Sequence, residues 1–167
     1  SSAVRVWSPW LPAASWTWVE IYNVTGSTIN LGSLTDTYDQ GAGNLLGRSI
    51  GPHEARVLAA DVIAPSTHRD DFVAEWARPG GYAAPAGHIR NPFTIADVIW
   101  VPSAQWPSLS KSGSSSARLY DNSGALLDMV RYDNAAPWPA AAQGSSISLK
   151  PTQMGSIRND DGANWMA

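Results

Sequence analysis

The sequence predicts an all-β protein, and three observations carry that expectation. No stretch keeps a 3.6-residue apolar period over three turns, and heptads are absent. Short apolar runs recur between clusters of Gly, Pro, Asn and Asp, which is the spacing of a sandwich or a barrel. Lys and Glu are scarce while 14 Gly and 12 Pro punctuate the chain, the reverse of a helix-rich composition. A chain of 167 residues suits one domain, 1–167, and buries roughly 70% of its unfolded surface without needing a staple.

Taken in order, Val4 to Trp7 reads as a first strand within a Pro/Trp-rich entry segment, residues 1–15, where Pro9 and Pro12 break regular structure. Trp16 to Val24, "WTWVEIYNV", is the strongest strand. It places Thr17, Val19 and Ile21 on one face and Trp16, Trp18, Glu20 and Tyr22 on the other. Both faces carry β-formers, so the strand is expected to be central. Thr28 to Leu34 alternates again, and Asp36 to Gly47 is a polar, Gly-rich loop. Arg56 to Ala64 favours strand over helix. Residues 65–91 form a long irregular insertion, with Asp70 to Trp76 fit for a helical turn or two. Phe93 to Val101 is strand-like, and Ser108 to Ser116 is a short Ser/Gly segment. Ala117 to Asp121 and Ala125 to Tyr132 pair as a hairpin about Asp121-Asn122-Ser123-Gly124, where Gly takes φ > 0. Ser145 to Lys150 is a last strand before the polar tail "NDDGANW".

Composition narrows the functional classes. The chain has no cysteine, so neither a disulfide framework nor a zinc-thiolate site is expected. A net charge of -3 and only two lysines argue against a nucleic-acid partner. No apolar run approaches the ~20 residues of a membrane span, so no membrane insertion is expected. A start at Ser1 rather than Met reads as a processed form or an excised fragment.

Several motifs appear in fixed order. "WVEIYN" is followed by "STINLGSL". Far downstream come "SLSKSGSSSARLYDNSGALLDMVRYDNAAPWP", "GSSISLK" and "NDDGANW". This series resembles the lamin tail domain family of bacterial type. The matching positions are Trp18, Glu20 and Asn23; Ile29 and Leu31; Ser112 and Gly113; Leu119; Ser123 and Gly124; Asp128 and Tyr132; Trp138 and Pro139; Gly144, Ser146 and Leu149; and Asn164 and Trp165. The resemblance implies an immunoglobulin-like antiparallel β-sandwich, with residues 65–91 and the entry segment as departures. It further implies a non-catalytic module of extracellular or cell-surface proteins or of an assembled particle. Protein partners or self-assembly are expected, and no cofactor.

The remaining chemistry is sparse. His53, His68 and His88 are the only histidines, and "HEAR" at His53 lacks the second His of the HExxH zinc motif. No Gly-x-Ser-x-Gly elbow is present. His68, Asp70 and Asp71 offer part of a metal site, as a hydrolase would need, but a charged loop cluster is more often solvated. Asn159, Asp161 and Gly162 fit part of a calcium loop whose first ligand position holds Ile157 and whose late Glu is missing; a polar turn is preferred. Glu20 and Asp128 suit a glycosidase pair only within a shared cleft, so structural roles are preferred. Asp128 is expected on one face with Leu126, Val130 and Tyr132, as a buried clasp to loop backbone or an Arg. Asn23-Val24-Thr25 is a sequon, read as structural. Nine tryptophans are the best functional hint. Trp18, Trp138 and Trp165 are assigned to the core, while Trp7, Trp10 and Trp106, beside prolines or in loops, are the expected exposed contacts for a partner. Carbohydrate binding through exposed Trp or Tyr is the alternative.

Overall fold

The computed structural model describes residues 2–7, 18–61, 68–76, 94–109, 114–139, 148–149 and 159–166. Two four-stranded sheets face each other. The first has the order β1-β2-β5-β6, from Ser2–Trp7, Trp18–Asn23, Ala55–Asp61 and Val98–Pro102. The second has the order β4-β3-β7-β8, from Ser49–Ile50, Ile29–Thr35, Ser115–Asp121 and Leu126–Tyr132. A two-stranded ribbon joins β9, Ser148–Leu149, to β10, Trp165–Met166. The architecture is an all-β sandwich.

Period-2 alternation builds the core between the sheets. Val19 and Ile21 of β2 and Leu58 of β5 pack against Leu31 and Leu34 of β3, Ala117 and Leu119 of β7, and Val130 of β8. Each fully buried Leu, Ile or Val contributes ~1.5–3 kcal/mol relative to exposure. The central position expected for β2 holds, with β1 and β5 on either side of it.

The pair β5–β6 is parallel, a departure from the antiparallel arrangement expected. Parallel neighbours need a long crossover, and that is what the insertion supplies. Within it lies α1, His68–Trp76. Phe72 is 1% exposed and meets Trp18 of β2 and Trp100 of β6 edge-on, at centroid distances of 6.2 and 5.5 Å. With Val57, Ala59 and Val98 these side chains form a second, smaller core. α1 thus covers part of the outer face of the first sheet, which explains why both faces of β2 are buried. Arg69 bridges to Asp61 at 2.6 Å and lies 5.2 Å over the Trp100 ring; the Asp61 bond holds the guanidinium above its ordinary pKa.

Of the strand predicted over Phe93 to Val101, Phe93 lies outside the described residues, and the strand starts at Val98 rather than Thr94. Ile95–Asp97 is a 3-10 turn, because the Asp97 carboxylate accepts from Thr94 N–H at 2.7 Å and boxes the chain. Close backbone approaches fix two glycines. A Cβ on Gly32 would collide with the Asp121 carbonyl, and one on Gly162 would sit 2.7 Å from the Trp138 backbone nitrogen.

Candidate functional site

The hairpin β7–β8 organises the site. Its turn forms as expected: Gly124 has φ 85°, and Asp121 Oδ1 accepts from the Ser123 N–H, the Ser123 hydroxyl and the Ala125 N–H at 2.7 to 2.9 Å. The Ser123 hydroxyl, chiefly, holds the Asp121 carboxyl below its ordinary value. One residue further along, the ladder slips. Tyr120 pairs with Leu126, but Leu119 pairs with Asp128, so Leu127 is an extra residue in a β-bulge.

That bulge corrects the expectation for Leu126. Asp128 and Val130 are buried and Tyr132 packs on the core, but Leu126 is 51% exposed. Leu127 turns inward in its place. The slip also sets Arg118 opposite Met129 and Arg131 opposite Ser116. The two arginines therefore share the outer face as diagonal neighbours.

Beside them is an open cleft of about 420 Å³, lined by Thr37, Ser114, Ser115, Ser116, Arg118, Arg131, Tyr132, Asp133, Trp138 and Asp160. Thr37 Oγ1 accepts from Ser116 N–H at 3.0 Å and joins the post-β3 loop to β7. Asp160 Oδ1 accepts from Arg131 N–H at 2.9 Å and covers part of the β8 edge. Trp138 tilts against Trp165 at 5.6 Å. Arg118 reaches Asp39 at 3.1 Å, while the exposed Arg131 makes no ion pair with a described residue. Burial raises the Tyr132 phenol above its ordinary pKa; the Ser115 hydroxyl opposes this and the Asp36 carboxylate adds to it. The groups around the cleft are suited to recognition: guanidinium, hydroxyl, carboxylate and aromatic surface together.

Compared with protein-family models, with curated proteins and with solved structures, the chain finds no match.

The residues singled out from the sequence have other places. Trp106 is not an exposed platform. It is half-buried against the main core, and its indole N–H is buried with no acceptor among the described residues. The 3-10 turn Ser103–Gln105 folds the loop back, with Trp106 N–H bonded to the Ser103 carbonyl at 3.2 Å. Trp7 stands opposite Trp18 in the ladder; its side chain, and all of Trp10, lie outside the described residues. Trp18 and Trp165 are buried, as expected. Trp138 packs on the core as expected but also lines the cleft.

The acidic candidates are built into the architecture. Glu20 is buried on the α1 side of β2, whereas Asp128 lies on the core side of the other sheet, so the two share no cleft. Asn159, Asp160 and Asp161 each serve a different partner: Asp128, Arg131 N–H and Ala163 N–H. They do not converge as calcium ligands. Asn23 donates to the Ser27, Ile50 and Gly51 carbonyls and accepts from Thr25, so the sequon amide holds a turn together. Asp70 and Asp71 are exposed on α1, and the His68 side chain lies outside the described residues. Among the described residues no group of three or more His, Cys, Asp or Glu is placed to hold a metal.

Proposed function

We propose that the chain is a non-catalytic β-sandwich module that acts by binding, as a surface-attached or secreted module or as a component of an assembly. The observation that carries this reading is the division of labour among its polar groups. The buried acids Glu20 and Asp128 sit in separate layers, while two arginines, two aspartates and several hydroxyls line an open cleft. The ordered motifs similar to lamin tail domains agree with it, and with an immunoglobulin-like course of the strands. Tyr38 and Leu46, 82% and 62% exposed on the loop after β3, are apolar contacts available to a protein partner or a second copy.

Size-exclusion chromatography with light scattering tests this across a concentration series. Concentration-dependent association, lost in a Tyr38→Ser/Leu46→Ser double variant, is the expected result. A chain that stays monomeric and also leaves a broad glycan array unbound would overturn the reading.

A second reading is carbohydrate binding. It is favoured by the cleft, where Trp138 and Tyr132 stand beside serine and threonine hydroxyls. A rigid aromatic surface buries the apolar face of a sugar ring at low entropic cost.

A further inference from the structure

We infer that the cleft at the open end of the β7–β8 hairpin is a site for an acidic saccharide; this rests on the carbohydrate reading and adds the chemistry of the ligand. Three features of the lining point to that class.

The first is charge. Arg118 and Arg131 lie on one outer face as diagonal neighbours. Arg118 is already bonded to Asp39 at 3.1 Å, but Arg131 is exposed and has no ion partner among the described residues. A guanidinium on a cleft wall offers a planar fork that matches a carboxylate or sulfate.

The second is the mixture around it. Ser114, Ser115, Ser116 and Thr37 bring hydroxyls that donate or accept. Asp133 and Asp160 each use Oδ1 for a backbone N–H, of Ala135 and Arg131 respectively. Their second oxygens make no bond to a described residue and are suited to accept from ligand hydroxyls. A simple anion such as phosphate gains nothing from these carboxylates, whereas a ligand carrying both an acid group and hydroxyls uses both sets. Trp138 and Tyr132 add aromatic surface for ring C–H groups, and about 420 Å³ is within the range of small-ligand clefts.

The third is an unpartnered polar atom in a lining residue. Arg118 Nε is buried with no hydrogen-bond partner among the described residues. Leaving such a group unsatisfied is costly, and a small side-chain adjustment around a hydroxyl-rich ligand would satisfy it.

The test is calorimetric titration of the intact chain with a uronic-acid oligosaccharide, its neutral counterpart and an acidic peptide. The acidic saccharide is expected to bind about tenfold or more tightly than the neutral one, with an affinity that falls as salt rises. Arg131→Gln, at an exposed side chain, should erase that preference, and Ser114→Glu should weaken the acidic ligand while leaving the melting temperature unchanged. Equal binding of acidic and neutral saccharides, or acidic binding untouched by both variants, would overturn the site while leaving carbohydrate recognition standing. Preference for the acidic peptide would replace the saccharide with a protein ligand. No saccharide binding at all would overturn this site and the carbohydrate reading together.

Discussion

Asn159 Nδ2 donates to Asp128 Oδ2 at 2.8 Å, and both side chains are buried. The bond ties the turn before β10 to the middle of β8. The Trp165 indole N–H reinforces it by donating to the Asn159 carbonyl at 2.8 Å. Asp128 is therefore a clasp, as its position among apolar residues suggested, and a side-chain amide is one of its partners. Asp128→Ala and Asn159→Ala are each expected to cost ~1–3 kcal/mol. The double variant should cost less than the sum, since both remove one bond. Urea unfolding of the four proteins measures it.

Gly162 lies against Trp138 so closely that a Cβ would come within 2.7 to 2.8 Å of its backbone nitrogen and indole. Gly162→Ala must push Trp138 away, at a cost of ~1–3 kcal/mol. Because Trp138 lines the cleft, the same variant should change tryptophan fluorescence. A thermal melt and an emission spectrum together check both effects.

Phe72 of α1 touches both Trp18 and Trp100. A nine-residue helix is marginal in isolation, so α1 depends on this anchor. Phe72→Ala is expected to cost about 3 kcal/mol or more. Hydrogen exchange should rise first across α1 and later in β2, since the helix can detach before the sheet opens.

Asp121 provides a pH dependence whose sign follows from its hydrogen bonds. Its folded-state pKa lies below the ordinary 3.8. A depressed carboxyl contributes stability above its unfolded pKa, and loses it as pH falls through the folded one. Asp121→Asn should therefore be less stable than the parent at neutral pH. The difference should shrink between about pH 5 and pH 2, as followed by denaturant midpoints across that range.

Much of the fold was legible from local chemistry. "WTWVEIYNV" contains a central strand because β-formers occupy both parities, and Asp121 to Gly124 turns because its Gly accepts φ > 0 and its Asp caps the loop. The connection after β5 was legible as long, but not as a parallel crossover. Its purpose depends on β6 pairing with β5 across 36 intervening residues, from Asp61 to Val98, and local pattern carries no information about such a partner. The two-residue strand β4 was missed because Ser49 and Ile50 have no period of their own. Trp106 was misjudged because a Trp before Pro in a loop looks exposed, whereas a 3-10 turn returns it to the core.

The composition and alternation of this chain were enough to specify strands, turns, an all-β class and a structural role for Asp128. The site required the assembled ladder. Continued without a slip from Tyr120 and Leu126, the hairpin would put Arg118 opposite Asp128 and leave Arg131 on the other face. The extra residue, Leu127, shifts that register by one. Because strand side chains alternate with period two, a one-residue shift reverses every face beyond it. Asp128 is thereby turned inward to Asn159, and Arg131 is turned outward beside Arg118 at the cleft.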